Sequence, residues 1–165
     1  PAFLGGLTAS FMHEGRAVAV PFSPDPAWRF VAVIPNYEVR TEEARRIVRR
    51  DIDLSAAVHT MSHAIAMVRG LETGDEALVG AACADVLHEP YRRTLIAEYN
   101  AMRAMALEAG AATFFISGSG STMIAATKSE AVAEAFVAKV RETWPDFAAR
   151  VLTVCHEGTT VTVED

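Results

Sequence analysis

The chain has 165 residues, of which 51% are hydrophobic and 22% charged, and its formal net charge is −6. This composition predicts one globular domain with a core large enough to fold without disulfides, and the net charge argues against a general nucleic-acid-binding surface. Cys83 and Cys155 have no metal-binding spacing and favour a reducing cytoplasm, and no apolar run approaches the roughly 18 residues of a membrane span. The segment Pro1–Leu7 lacks an initiator Met and resembles the interior of a longer protein, so we expect a fragment.

The first half of the chain predicts two strands followed by helices. The apolar runs Val18–Phe22 and Trp28–Ile34 are separated by a proline-rich turn and predict strands. Thr41 is expected to be the N-cap of a helix that runs to about Arg50. A second helix is expected from Asp53 or Ser55 to about Arg69, where Gly70 and Gly74 break it. Its inward face is predicted to comprise Ala57, Met61, Ala64, Ile65 and Val68.

The second half predicts two more helices, two strands, a helix and a strand. These elements are expected at residues 75–87, 93–109, 111–116, 123–126, 129–143 and 151–155, with Ser129 capping the last helix and Ala133, Phe136, Val137 and Val140 facing inward. The order predicts an α+β fold, a ferredoxin-like β-α-β-β-α-β sandwich with its helices on one face of an antiparallel sheet. Extra helices expand its first crossover.

A loop of small residues, Ser117-Gly118-Ser119-Gly120-Ser121-Thr122, separates the two central strands. Gly118 and Gly120 can take a positive φ at little cost, and the N–H groups around them can then line a concavity that attracts phosphate or carboxylate. A plain hairpin turn is the alternative. The loop is not a Walker A motif, because no Lys follows its second glycine.

Arginines are the candidate ligand contacts. Arg92 is expected in the first turn of a helix that follows Pro90, where the helix dipole disfavours a cation. It therefore needs an anion, which would be either Glu89 or Asp85 in an ion pair or the carboxylate of a ligand. Arg45 belongs to a basic cluster with Arg46, Arg49 and Arg50, most of which are expected to be solvated. His59 and His63 are one helical turn apart without an evident third metal ligand, so packing or surface roles are expected for them.

Taken together, Thr41-Glu42-Glu43-Ala44-Arg45, Glu89-Pro90-Tyr91-Arg92 and the small-residue loop resemble the homoserine kinase branch of the GHMP small-molecule kinases. The resemblance implies that residues 1–165 form the C-terminal domain of that fold, with residues 1–22 as the tail of a preceding domain or a linker. It implies that Arg45 and Arg92 bind the α-carboxylate of L-homoserine. It also implies that Ser117, Gly118, Ser119, Gly120, Ser121 and Thr122 lie near the phosphate and substrate.

The same resemblance implies a cytoplasmic enzyme of threonine biosynthesis that uses ATP and Mg²⁺. Both would be bound mainly by an N-terminal domain whose PxxxGLGSSA phosphate loop is absent from this sequence. The chain itself would supply no catalytic residue and no metal ligand, and would be inactive alone. A homodimer is left open. Two alternatives remain: a GHMP-type kinase for another small alcohol, and a non-catalytic ferredoxin-like module that binds an amino acid.

Overall fold

The computed structural model describes residues 4–162, and the first described element is an antiparallel ribbon. Its strands are β1, Leu7–His13, and β2, Arg16–Phe22, joined by a turn in which Glu14 and Gly15 both have positive φ. Most of its side chains are exposed, and the ribbon forms a sheet of its own. Only its second strand was predicted. The assignment of residues 1–22 to the tail of another domain stays a prediction.

A four-stranded antiparallel sheet forms the centre of the molecule. Its strands are β3, Arg29–Ile34; β4, Thr113–Ile116; β5, Met123–Thr127; and β6, Ala148–Leu152. They lie in the order β4-β5-β3-β6, which is the arrangement of a split β-α-β-β-α-β sandwich. The predicted fold class is therefore confirmed. The last strand begins three residues before its predicted start, because Ala148 and Ala149 pair with Ile34 and Val33 despite the low strand propensity of alanine.

Within residues 4–162, six helices surround this sheet. They are α1, Thr41–Arg46; α2, Leu54–Thr73; α3, Glu76–Ala82; α4, Glu89–Arg92; α5, Tyr99–Glu108; and α6, Glu130–Thr143, with a 3₁₀ turn at Arg93–Leu95. The hydroxyl of Ser129 accepts a hydrogen bond from the N–H of Val132 and so caps α6 as predicted. None of the helices within residues 4–162 is long and apolar enough to cross a membrane.

The main core lies between one face of the sheet and helices α5 and α6. The predicted inward residues of α6 are all buried, and they pack with Tyr99 and Met102 of α5 and with Phe114 of β4. A second, smaller cluster joins Trp28, Val79 and Ala126, with Phe30 packed against it. Since alternate strand residues point to opposite faces, α2 and α3 cover the other face of the sheet. The expectation that all helices lie on one face is wrong in this respect.

The orientation of α2 also differs from the prediction. Met61 is 58% exposed and Ile65 is 73% exposed, so the centre of the predicted inward face points to solvent, whereas Ala57 and Val68 at its margins are half-buried. Gly70 does not break the helix but lies buried within it, where a Cβ would come within 2.8 Å of a methyl group of Val79 in α3. Gly74, with φ of +65°, ends the helix as predicted. The close approach of α3 at Gly70 thus selects which side of α2 faces inward.

Candidate functional site

The turn that precedes α4 is shaped by the side chain of Asp85. Its carboxylate accepts hydrogen bonds from the N–H groups of Leu87, His88 and Glu89, at 2.7, 3.0 and 2.7 Å. Pro90 lies in the first turn of α4, where its missing N–H costs nothing. Helix α4 therefore includes this proline, and Arg92 lies in its last turn. The helix thus begins before Pro90 and not after it as predicted, and Arg92 is its last residue, at the end where the helix dipole favours a cation.

Arg92 joins two of the three motifs through backbone carbonyl groups. Its Nε donates to the oxygen of Ala44 in α1 at 3.3 Å, and its Nη1 donates to the oxygen of Gly118 in the loop at 2.7 Å. Within residues 4–162 it forms no ion pair with Glu89 or Asp85. A guanidinium has five N–H donors, so these two bonds leave three for a ligand and leave the positive charge without a paired anion.

Glu89 occupies a position that sequence reasoning did not single out as functional. One carboxylate oxygen accepts the hydroxyl hydrogen of Tyr99, and the other accepts the N–H of Ile116 at 3.2 Å. Burial raises the pKa of Tyr99, and the hydrogen bond to Glu89 raises it further, so the phenol stays a neutral donor. The only sequence signal for this role was the glutamate that precedes Pro90 in the motif.

The small-residue loop is both a hairpin turn and a surface of free donors. The N–H of Ser117 donates to the oxygen of Thr122 at 2.9 Å, and that of Gly120 donates to the oxygen of Ser117 at 3.1 Å. Gly118 and Gly120 have φ of +60° and +90°, as predicted. The N–H groups of Gly118 and Ser119 have no hydrogen-bond partner in the part of the chain that the structure describes, so they are free to meet an anion.

Two further contacts fix this loop to the segment before α1 and to α1 itself. Ser121 is buried, and its hydroxyl donates to the backbone oxygen of Tyr37 at 2.7 Å. The hydroxyl oxygens of Ser119 and Thr41 are 3.3 Å apart. Thr41 is the first residue of α1, and the predicted N-cap role belongs by position to Arg40.

The two candidate arginines therefore differ in how they are held. Arg45 is exposed, and its side chain makes no hydrogen bond or ion pair within residues 4–162. Arg49, from the same basic cluster, lies over the ring of Tyr91 with its central carbon 5.9 Å from the ring centroid. The structure thus brings α1, α4 and the loop together around Arg92 and leaves the side chain of Arg45 unanchored beside them.

A cavity of about 460 Å³ opens next to Arg92 and Gly118 and extends between α2 and the second face of the sheet. Its walls are mostly apolar and include Phe30, Met67 and Phe115. Cys83 also lines it, and burial raises the pKa of this thiol, so the thiol is neutral at physiological pH. The volume suits a small-molecule ligand.

The histidines near the cavity have packing roles, as predicted. The rings of His59 and His63 are stacked with centroids 3.7 Å apart, and Nε2 of His59 is 2.8 Å from the oxygen of Ala84. Among residues 4–162 there is no group of three His, Cys, Asp or Glu side chains that could hold a metal ion.

The chain is similar to known proteins over most of its length. The family model for the C-terminal region of GHMP kinases matches residues 67–146. The homoserine kinase of Thermosynechococcus vestitus is 35% identical over 168 residues, which cover 98% of this chain and 55% of that protein. The homoserine kinase of Trichodesmium erythraeum is 40% identical over 131 residues, or 78% of this chain and 42% of that protein.

Solved structures of kinases share the fold of this chain. The homoserine kinase from Cytophaga hutchinsonii superimposes with a TM-score of 0.83 at 26% identity, over 94% of this chain and 50% of that one. The mevalonate kinase from L. major, at 15% identity and a TM-score of 0.67, shares the fold alone. The chain spans about half the length of the curated relatives it matches.

Proposed function

The chain belongs to the GHMP kinases, whose C-terminal domain it forms, and on that premise we propose that it is the substrate-binding part of an ATP-dependent homoserine kinase. The enzyme would phosphorylate the side-chain hydroxyl of L-homoserine in the cytoplasm, in threonine biosynthesis. The observation that supports this best is the setting of Arg92. Its guanidinium is fixed by α1 and the loop. Among the described residues it keeps three donors and a charge without a paired anion, beside a ligand-sized cavity.

The substrate carboxylate is the group we assign to this guanidinium. Arg binds carboxylates through two parallel N–H donors, and this geometry orients the ligand as well as attracting it. Arg45 would assist from α1, where its exposed side chain is free to turn towards the same carboxylate. With the carboxylate held at one end, the side-chain hydroxyl of homoserine would be directed to a defined point near the loop.

The loop would then bind the phosphate group that is transferred from ATP. The free N–H groups of Gly118 and Ser119 suit a phosphate oxygen, and their distance from Arg92 is set by the bond between Arg92 and the oxygen of Gly118. ATP supplies the phosphoryl group when bound. We propose that ATP and Mg²⁺ are held mainly by an N-terminal GHMP kinase domain outside this chain, since the chain spans only about half the length of the homoserine kinases it matches.

The contribution of this chain to catalysis is accordingly positional. Phosphoryl transfer needs little covalent chemistry from the protein and depends on alignment and charge stabilisation. A fixed carboxylate and a fixed loop would hold the hydroxyl in line with the phosphoryl group. This alignment lowers the entropic part of the activation barrier. The chain alone would therefore bind homoserine weakly and transfer no phosphate.

The test compares two preparations in a coupled assay with L-homoserine, ATP and Mg²⁺. One is the 165-residue chain, and the other joins it to an N-terminal GHMP kinase domain. We expect turnover only from the joined protein, and more slowly with mevalonate than with homoserine. Turnover by the isolated chain would contradict the division of labour. If the joined protein prefers another small alcohol, or binds homoserine without turnover, one of the two alternative functions is correct.

A further inference from the structure

We propose that Glu89 is a positioning residue for the substrate carboxylate, acting through Arg92; this inference rests on the function proposed above. Glu89 would not touch the substrate. It lies at the first residue of α4, three residues before Arg92, and both of its carboxylate oxygens are occupied by protein donors. Its role would be to fix α4 relative to the sheet and so to fix the guanidinium relative to the loop.

The first step of the argument concerns β4, which is the edge strand of the four-stranded sheet. On the outer side of an edge strand, the N–H groups have no neighbouring strand whose carbonyl oxygens could accept their hydrogen bonds. The N–H of Ile116, the last residue of β4, donates instead to Glu89 at 3.2 Å. The start of α4 is thereby tied to the point where the small-residue loop begins.

The second step concerns the other oxygen of Glu89. It accepts the hydroxyl hydrogen of Tyr99, whose side chain is 1% exposed and packs in the main core against Phe114. Glu89 therefore connects α4 both to the end of β4 and to α5. Since hydrogen bonds to a charged acceptor are stronger than neutral ones, this pair of contacts is well suited to hold a helix of only four residues in place.

The third step is the geometry at the far end of α4. Within one turn, Arg92 must reach the oxygen of Gly118, two residues beyond Ile116, at 2.7 Å. The carboxylate of Glu89 and the guanidinium of Arg92 thus contact the same strand–loop segment at two adjacent points. Removing the first contact would let α4 shift along β4, and a shift of about 1 Å is enough to misplace a ligand for reaction.

The experiment measures the KM values for L-homoserine and ATP in the full-length enzyme for Glu89→Ala and Glu89→Gln. We expect Glu89→Ala to raise the homoserine KM about 10- to 100-fold and to change the ATP KM by less than about threefold. Glu89→Gln should recover part of the loss, since its amide oxygen can accept one of the two hydrogen bonds.

A matched control is available in Glu76. Its carboxylate also accepts one hydroxyl and one backbone N–H, from Thr127 at 3.2 Å and from Lys128 at 2.7 Å, but at the turn between β5 and α6. Glu76→Ala should therefore lower the free energy of unfolding by an amount similar to that for Glu89→Ala. It should leave the homoserine KM within about twofold of that of the parent enzyme.

The decisive measurement repeats Glu89→Ala in the Arg92→Ala background. If Glu89 acts through Arg92, its removal should raise the homoserine KM no further there. Equal effects in both backgrounds, or equal effects of the Glu76 and Glu89 variants, would overturn the positioning role. If Arg92→Ala alone leaves the homoserine KM unchanged, the carboxylate-binding role of Arg92 proposed above fails instead. If Glu89→Ala does not fold, the Glu89→Gln variant and its double variant with Arg92→Ala decide the matter in the same way.

Discussion

Replacing Arg92 by Ala is the most informative perturbation of this site. If the guanidinium binds the substrate carboxylate, the variant should raise the KM for L-homoserine far more than the KM for ATP. A hydrogen bond to a charged group contributes about 1.5–3 kcal/mol, which corresponds to about a 10- to 150-fold loss in kcat/KM. Because the same contact aligns the hydroxyl, kcat should fall as well.

The structure adds a consequence for stability. Arg92 donates to the oxygens of Ala44 and Gly118, so its loss removes the bonds that join α1 and the loop to α4. The side chain is only half-buried, which places the cost at the low end of the range for charged hydrogen bonds. We expect the free energy of unfolding to fall by about 1–2 kcal/mol. A position held only by a ligand would show no such loss.

Two further variants separate charge from geometry. Arg92→Lys keeps the charge but lacks the planar fork, so it should recover little of the homoserine affinity. Arg93→Ala removes the same charge one residue away, from an exposed side chain without a hydrogen-bond or ion-pair partner in the described part of the chain. It should leave both KM values nearly unchanged.

The assay is steady-state kinetics of the full-length enzyme, with urea unfolding of each variant in parallel. If Arg92→Ala lowers stability by the expected amount but leaves the homoserine KM within about twofold, Arg92 serves only to join α1 and the loop. The carboxylate-binding role would then be withdrawn. If Arg92→Lys restores full affinity, charge alone is sufficient and the argument from a bidentate contact is wrong.

Three other predictions test the loop, the core and the half-buried ion pair between Asp25 and Lys128. Gly118→Val should cost about 1–2 kcal/mol of stability and reduce kinase activity, because φ is +60° and a β-branched residue is strained there. Gly118→Asn should cost less, because Asn adopts a positive φ more readily than Val does and no atom lies within 4 Å of the added Cβ; kinetics and urea unfolding of the two variants check this. Phe136→Ala removes a buried ring from the main core and should lower the free energy of unfolding by about 3–5 kcal/mol. Ile65→Ser alters an exposed side chain and should change it by less than about 0.5 kcal/mol. Urea unfolding of the chain measures both values, and a large loss for Ile65→Ser would mean that α2 faces the other way. The pKa of Asp25 is held below its ordinary 3.8 by the backbone N–H two residues ahead and by Lys128, so its contribution to stability is present above pH 3.8 and is lost as the pH falls through the lowered value. The stability difference between the parent and Asp25→Asn should therefore shrink over that range, and a constant difference would exclude the linkage.

The sequence alone determined the elements whose signals are local. The order of strands and helices gave the fold class, Ser129 marked the start of α6, and the positive φ of Gly118 and Gly120 followed from their residue type. The motifs around Arg45 and Arg92 identified the candidate site. These features depend on residues close together in the chain, for which capping, periodicity and glycine conformation are sufficient physical reasons.

Only the tertiary structure decided what these elements contact. Helical periodicity shows which residues share a face of α2 but not which face packs, and the close approach of Val79 at Gly70 settles that choice. Likewise, Arg92 finds its partners 48 and 26 positions away in the chain, on carbonyl groups that every residue has. Backbone acceptors have no sequence signature, so the partners of a guanidinium are fixed only when the sheet and helices bring distant segments together.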